Sequence, residues 1–162
     1  GGGFPESFLE QLESNQALRH EIKSAVESGM PVYAECGGLM YLTRSITREG
    51  RTCEMVGALP ADVQFQKKPV GKGYIEIRTV PGKGWFQTER TLKGHEFHYS
   101  RLVNIGSEIE YNFGMERGIG VDEENDGIVY KNTIAAYSHI HSGVIPEWPE
   151  QFVDFILRMK GD

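Results

Sequence analysis

Cys36 is the residue in this chain best placed to act as a nucleophile, because of what flanks it. Val32-Tyr33-Ala34 is a short apolar run, Glu35-Cys36-Gly37-Gly38 follows, and Leu39, Met40 and Leu42 then recur as one face of a helix. That order predicts strand, tight turn, helix, with the cysteine at the apex. A strained turn of this kind lifts a nucleophile above a sheet and aims it at a helix N-terminus. The free amides there favour an anion, whether thiolate or oxyanion. A small cysteine buried between a strand and a helix would read the same way from these residues alone, so its partners must decide.

A cysteine nucleophile needs an imidazole within reach to take its proton. Four of the five histidines fall in two short segments, Gly94-His95-Glu96-Phe97-His98-Tyr99-Ser100 and Ala136-Tyr137-Ser138-His139-Ile140-His141-Ser142. As strands, the first puts Glu96, His98 and Ser100 on one face and His95, Phe97 and Tyr99 on the other. The second puts His139 and His141 on the same side, with His98 a further candidate base. His20, on an early helix, reads as solvated. Paired histidines invite a metal, but no further Cys/His/Asp group completes a site at recognisable spacing, so no metal is expected. Cys53 lies in a polar stretch with no base nearby and reads as inert.

The elements that must position these residues follow from periodicity and punctuation. The 162 residues suit one domain with one substantial core. Glu6 to Glu13 predicts a short helix, and Ser14 or Asn15 caps a second running to about Ser28, closed by Gly29 and Pro31. Thr47 to Thr52 reads as a turn, and Met55 to Leu59 as a short strand or an irregular segment. From Gly71 the apolar period becomes two. Strands are expected around Tyr74 to Val80, Trp85 to Thr91, Glu96 to Val103 and Ile109 to Phe113. Asn125-Asp126-Gly127 signals a tight turn before Ile128 to Tyr130. Thr133 to His141 reads as a last strand, and Pro149 as the start of a final helix carrying Phe152, Phe155, Ile156 and Met159. Helices early and late with strands between give an α/β class with a partly antiparallel extension.

Net charge is −6 and Lys67-Lys68 is a lone basic pair, so nucleic acid is not an expected partner. No apolar run approaches the ~20 residues of a membrane span, no signal peptide opens the chain, and two cysteines make no disulfide framework. A cytoplasmic setting is expected.

Four ordered motifs carry a resemblance: Gly1-Gly2-Gly3-Phe4-Pro5-Glu6, Tyr33 to Leu42, Gly94 to Ser100, and Tyr137-Ser138-His139-Ile140-His141. Together they resemble the C-terminal glutamine amidotransferase domain of the cobyrinic acid a,c-diamide synthase family across nearly the whole chain. The resemblance implies a three-layer class I glutamine amidotransferase fold, flavodoxin-like in layout, with a mixed sheet between helices. It implies Cys36 as the nucleophile that forms a γ-glutamyl thioester and releases ammonia, and His139 as its base. Gly37, with Gly2 or Gly3, is implied as the oxyanion hole. Glu96 and His98 are implied to line the pocket and orient glutamine or the acceptor.

Two departures matter. Many triad glutaminases place a glutamate two residues after the active histidine, where this chain has His141; His141, Glu96 and Glu35 are thus all candidates to orient His139, and a Cys–His dyad is the alternative. The family's synthases also carry an N-terminal domain that uses ATP and Mg2+, yet no GxxxxGK[ST] loop occurs here. The whole of 1–162 is read as the glutaminase domain, and its triple-glycine opening as a chain cut just after a strand. The expected partners are glutamine, the synthetase domain of the same polypeptide and a tetrapyrrole acceptor at their interface; a homodimer is left open. With its oxyanion loop at a free end, the domain alone is expected to turn over slowly. Alternatives are a cysteine-elbow hydrolase of the protease-like group and a non-catalytic docking domain of the same fold.

Overall fold

The computed structural model describes residues 1–143 and 145–161. After one 3-10 turn, Pro5–Ser7, come helices α1 (Leu9–Ser14) and α2 (Gln16–Glu27). Asn15 caps α2 by accepting from the Leu18 amide at 3.3 Å, and Gly29 follows it at φ 85°. Strand β1 (Val32–Glu35) then runs through Cys36 into α3 (Gly37–Leu42). Next come β2 (Ser45–Arg48), β3 (Arg51–Glu54), β4 (Asp62–Phe65), β5 (Gly71–Thr79), β6 (Thr91–His98) and β7 (Ser100–Val103). The chain closes with β8 (Glu110–Arg117), β9 (Asn125–Tyr130), β10 (Thr133–Ala136) and helix α4 (Glu147–Lys160).

The strands form two sheets. The larger has the order β1-β10-β9-β8-β5-β6, parallel between β1 and β10 and antiparallel elsewhere. The smaller has the order β3-β2-β4-β7. Alternation along β1 sends Ala34 to one face of the large sheet and Tyr33 to the other. The Ala34 face shares a core with Val26 of α2, Leu39 of α3 and Ile46 and Val63 of the small sheet. On the Tyr33 face, Ile75, Trp85, Phe113 and Ile134 pack with Phe152 and Phe155 of α4. The expected mixed sheet between helices is therefore present, with a larger antiparallel share than periodicity suggested.

Several boundaries differ from expectation, each for a physical reason. Thr47 to Thr52 is a hairpin rather than a turn. Only Glu49 and Gly50, at φ 53° and 80°, form its loop, and the polar faces of β2 and β3 hid the alternation. Trp85 to Thr91 is not a strand up to Arg90, because Trp85 and Phe86 turn inward as fully covered core residues. The strand expected over Glu96 to Val103 breaks at Tyr99, where the chain passes from the large sheet to the small one. Asn125-Asp126-Gly127 lies within β9, with Gly127 at φ 65° and its Cα against Phe113. β10 stops at Ala136, so Tyr137 to His141 lie beyond the regular ladder, and α4 starts two residues before Pro149. Cys53 sits in β3 opposite Ile46, 1% exposed, as a core residue.

Trp85 ties the α4 face together, with ring centroids 4.6 Å from Phe152 and 5.7 Å from Tyr33. Trp85→Ala is expected to cost about 3–5 kcal/mol of unfolding free energy by leaving a cavity there. Urea denaturation would measure it, and a loss under about 1 kcal/mol would contradict this packing role.

Candidate active site

Cys36 occupies φ 45°, ψ −96°, a conformation uncommon for a residue with a Cβ. Its amide donates to the Ala136 carbonyl at 2.7 Å, and its carbonyl accepts from the Met40 amide at 2.9 Å. One bond ties the elbow to the end of β10; the other closes the first turn of α3. The Gly37 amide, first in that helix, has no intrahelical acceptor. With only six residues in α3, these free amides rather than a long helix dipole set the local potential.

The parallel register of β1 and β10 pairs Glu35 with Ala136, so the chain leaving β10 passes beside the elbow. His139, three residues on, forms a two-bond antiparallel bridge with His95 of β6: its amide donates to the His95 carbonyl at 2.8 Å, and its carbonyl accepts from the His95 amide at 3.2 Å. The two imidazoles stack, with centroids 4.7 Å apart and planes at 10°. A Cβ on Gly94 would stand 2.3 Å from the His139 carbonyl, so this approach requires glycine.

Of the candidates to orient His139, the structure brings Glu35 to the ring. Its Oε2 lies 3.4 Å from His139 Nδ1. Its Oε1 accepts from Tyr33 Oη at 2.7 Å and from the Ile140 amide at 3.1 Å. Burial alone would raise the Glu35 carboxyl, but the bonds from His139, Tyr33 and Ile140 outweigh it and hold it below the ordinary range. The His139 imidazole is pushed up to about 9, first by the neighbouring Cys36 thiol and second by Glu35, against the opposing effect of burial. A thiol and a carboxylate, those of Cys36 and Glu35, thus both neighbour the His139 imidazole.

His141 is exposed and accepts from the Gly143 amide at 2.9 Å, apart from this group. Glu96 and His98 also lie apart from it, on the buried face of β6, at 3% and 2% exposure. Glu96 accepts from the Ile119 and Gly120 amides at 2.9 and 3.0 Å, with His98 Nε2 3.4 Å away. The His98 ring stacks on Tyr137, centroids 3.8 Å apart, and its Nδ1 meets the Ser100 carbonyl at 2.9 Å. These side chains fasten β6 to the core, and it is the opposite face, with His95 and Phe97, that meets the site. The Phe97 carbonyl lies 3.9 Å from Cys36 Sγ.

The opening glycines lie over the elbow. Gly38 donates to the Gly1 carbonyl at 3.2 Å. A Cβ on Gly37 would stand 2.9 Å from the Gly3 nitrogen, and one on Gly2 would stand 2.8 Å from His139 Cε1. Backbone is thus packed on both the elbow and the imidazole with no room for side chains. A cavity of about 1060 Å3 is lined by residues including Glu6, Arg48, Gln66, Lys67 and Tyr99, and by none of Cys36, His139 or Glu35. Tyr99 connects it to Phe97, ring centroids 5.7 Å apart. Among the described residues, no cluster of three or more His, Cys, Asp or Glu side chains gathers as a metal site.

The fold is the one seen in solved glutamine amidotransferases. A glutamine amidotransferase from Thermotoga maritima aligns over 100% of this chain and 64% of its own, with TM-score 0.60 and 18% identity. A second glutamine amidotransferase structure aligns over 94% and 72%, with TM-score 0.61 and 17% identity. More specifically, residues 1–144 match the CobB/CobQ-like glutamine amidotransferase domain, and the chain belongs to that family. It is 45% identical over 160 residues to a cobyrinate a,c-diamide synthase of Archaeoglobus fulgidus, covering 99% of this chain and 35% of the relative. A synthase of the same name from Magnetococcus marinus is 43% identical over 148 residues, 91% of this chain and 32% of the relative. The chain thus spans about a third of the length of the curated relatives it matches.

The His139 proton supplies a direct test. In the folded chain its imidazole should titrate near pH 9, and Glu35→Gln should lower that midpoint toward the ordinary 6.5. Because the folded value is the raised one, the stability this group contributes is complete below about pH 6.5 and is lost as pH rises through about 9. NMR of the imidazole protons reads the midpoint. A Glu35→Gln midpoint equal to the parent's would show that Glu35 does not act on His139.

Proposed function

We propose that this chain hydrolyses the side-chain amide of glutamine and supplies the ammonia for ATP-dependent amidation of tetrapyrrole carboxylates, the a,c-diamidation named by its relatives. The observation that carries the reading is Cys36 at φ 45° on a strand–helix elbow, its thiol and Glu35 both beside His139. His139 takes the Cys36 proton, and the thiolate attacks the glutamine amide carbon. The Gly37 amide, with a backbone amide of Gly2 or Gly3, holds the oxyanion. The C–N bond then breaks as His139 returns its proton to nitrogen, giving ammonia and a γ-glutamyl thioester on Cys36. Water, deprotonated by the same imidazole, attacks the thioester, releasing glutamate and restoring the thiol. Glu35 keeps His139 oriented and stabilises its charged form throughout.

No residue of this chain is assigned to ATP or Mg2+. We assign their binding, and most of the acceptor's, to the two-thirds of the relatives' length that this chain does not match. The synthetase part is then the expected partner, acting where the opening glycines cover the elbow.

A glutamine-mimicking diazoketone should alkylate Cys36, as located by peptide mass spectrometry, and Cys36→Ala should abolish labelling. Labelling of Cys53 instead, or labelling that survives in Cys36→Ala, would overturn the assignment. His139→Ala should slow the reaction about 10²–10⁴-fold, the range typical of a lost general base.

A further inference from the structure

We propose that Asp126 is a positioning residue for His139, acting on the backbone that carries it. This rests on the glutaminase reading for its functional meaning, but its geometry stands by itself. β10 ends at Ala136, and the next four residues lie beyond the ladder. Each of their amides nevertheless has a specific acceptor. Tyr137 donates to Asp126 Oδ1 at 3.1 Å and Ser138 to Asp126 Oδ2 at 2.8 Å. His139 donates to the His95 carbonyl and Ile140 to Glu35 Oε1. Two carboxylates therefore bracket the histidine, Asp126 on the two residues before it and Glu35 on the residue after it.

Asp126 is wholly buried and receives a third bond, from Ser138 Oγ at 2.5 Å. Burial pushes its carboxyl up, and the bonds from Ser138, Tyr137 and Gly127 oppose that. A backbone carbonyl cannot replace this arrangement, because the residues before His139 have left the sheet and present two adjacent amides and a hydroxyl to one point. A carboxylate accepts all three; an amide side chain would turn N–H donors toward donors. With the ring stacked on His95 and facing Cys36 and Glu35, a shift of the 137–138 backbone moves the base relative to its nucleophile. Reaction rates fall steeply with such displacement.

The test uses the 162-residue chain with Asp126→Asn and Ser138→Ala, the latter keeping both amide bonds and removing only the hydroxyl bond. Circular dichroism establishes that each is folded. Asp126→Asn should lower the His139 midpoint from about 9 toward 6.5 and slow diazoketone labelling of Cys36 about 30–100-fold. Ser138→Ala should shift both in the same direction by less. A purely structural role would lower the melting temperature and leave the His139 midpoint in place. A folded Asp126→Asn with parental midpoint and labelling rate overturns the proposal. If Asp126→Asn does not fold, Ser138→Ala decides, and parental values there overturn it. Should the parent chain itself resist labelling at Cys36, the glutaminase reading fails, while the NMR midpoints still decide the role of Asp126.

Discussion

The backbone of Cys36 is the constraint on which the rest of the site depends. Holding a non-glycine residue at φ 45°, ψ −96° costs on the order of 1–3 kcal/mol, so its neighbours must over-determine it. They do so from both sides. The amide is committed to Ala136 on β10 and the carbonyl to the first turn of α3, while β1 is locked in parallel register with β10. The elbow cannot relax without unpairing the strand whose continuation carries His139. Strain at Cys36 and placement of His139 are therefore one problem, solved by one pair of strands.

That solution creates a second demand. Once the chain leaves β10 it forfeits the ladder that would have satisfied its amides, and a buried amide without a partner is costly. Two carboxylates and one bridge to β6 meet the demand between Tyr137 and Ile140. Glu35 does this while also facing the His139 ring, so one side chain fixes the backbone after the histidine and the charge on it. Its position immediately before Cys36 means that β1 delivers both the thiol and the carboxylate that neighbour His139, one from the turn and one from the last strand residue.

How much of this was legible in the sequence depended on whether the information was local. The elbow was, because apolar run, Glu-Cys-Gly-Gly and helical spacing lie within a dozen residues. The capped α2 and the period-two strands from Gly71 were legible for the same reason. Trp85 was not: an aromatic in an alternating context reads as a strand, and it is Tyr33 of β1 and α4, more than fifty and sixty residues away, that make the position interior. Asp126 was missed because Asn-Asp-Gly signals a turn through local chemistry. Here the glycine supports a close approach to Phe113 within β9, and the aspartate looks across to β10's exit. Glu35 stood among three candidates to orient His139. The choice needed the β1–β10 register, which no single segment encodes.

Strand β6 carries Glu96 and His98 on its buried face. Its alternation separates two tasks. The buried face spends its ionisable residues on structure: Glu96 binds the amides of Ile119 and Gly120, and His98 stacks on Tyr137. The other face brings His95 onto His139, and the strand's backbone puts the Phe97 carbonyl beside Cys36 Sγ. Residue type alone favoured the carboxylate–imidazole pair, since such pairs do chemistry when they meet solvent and substrate. Here both members of the pair are buried. A carboxylate bonded to two backbone amides at 3% exposure is already satisfied, and its work is to hold the strand steady enough for Gly94 to meet the His139 carbonyl without a side chain between them.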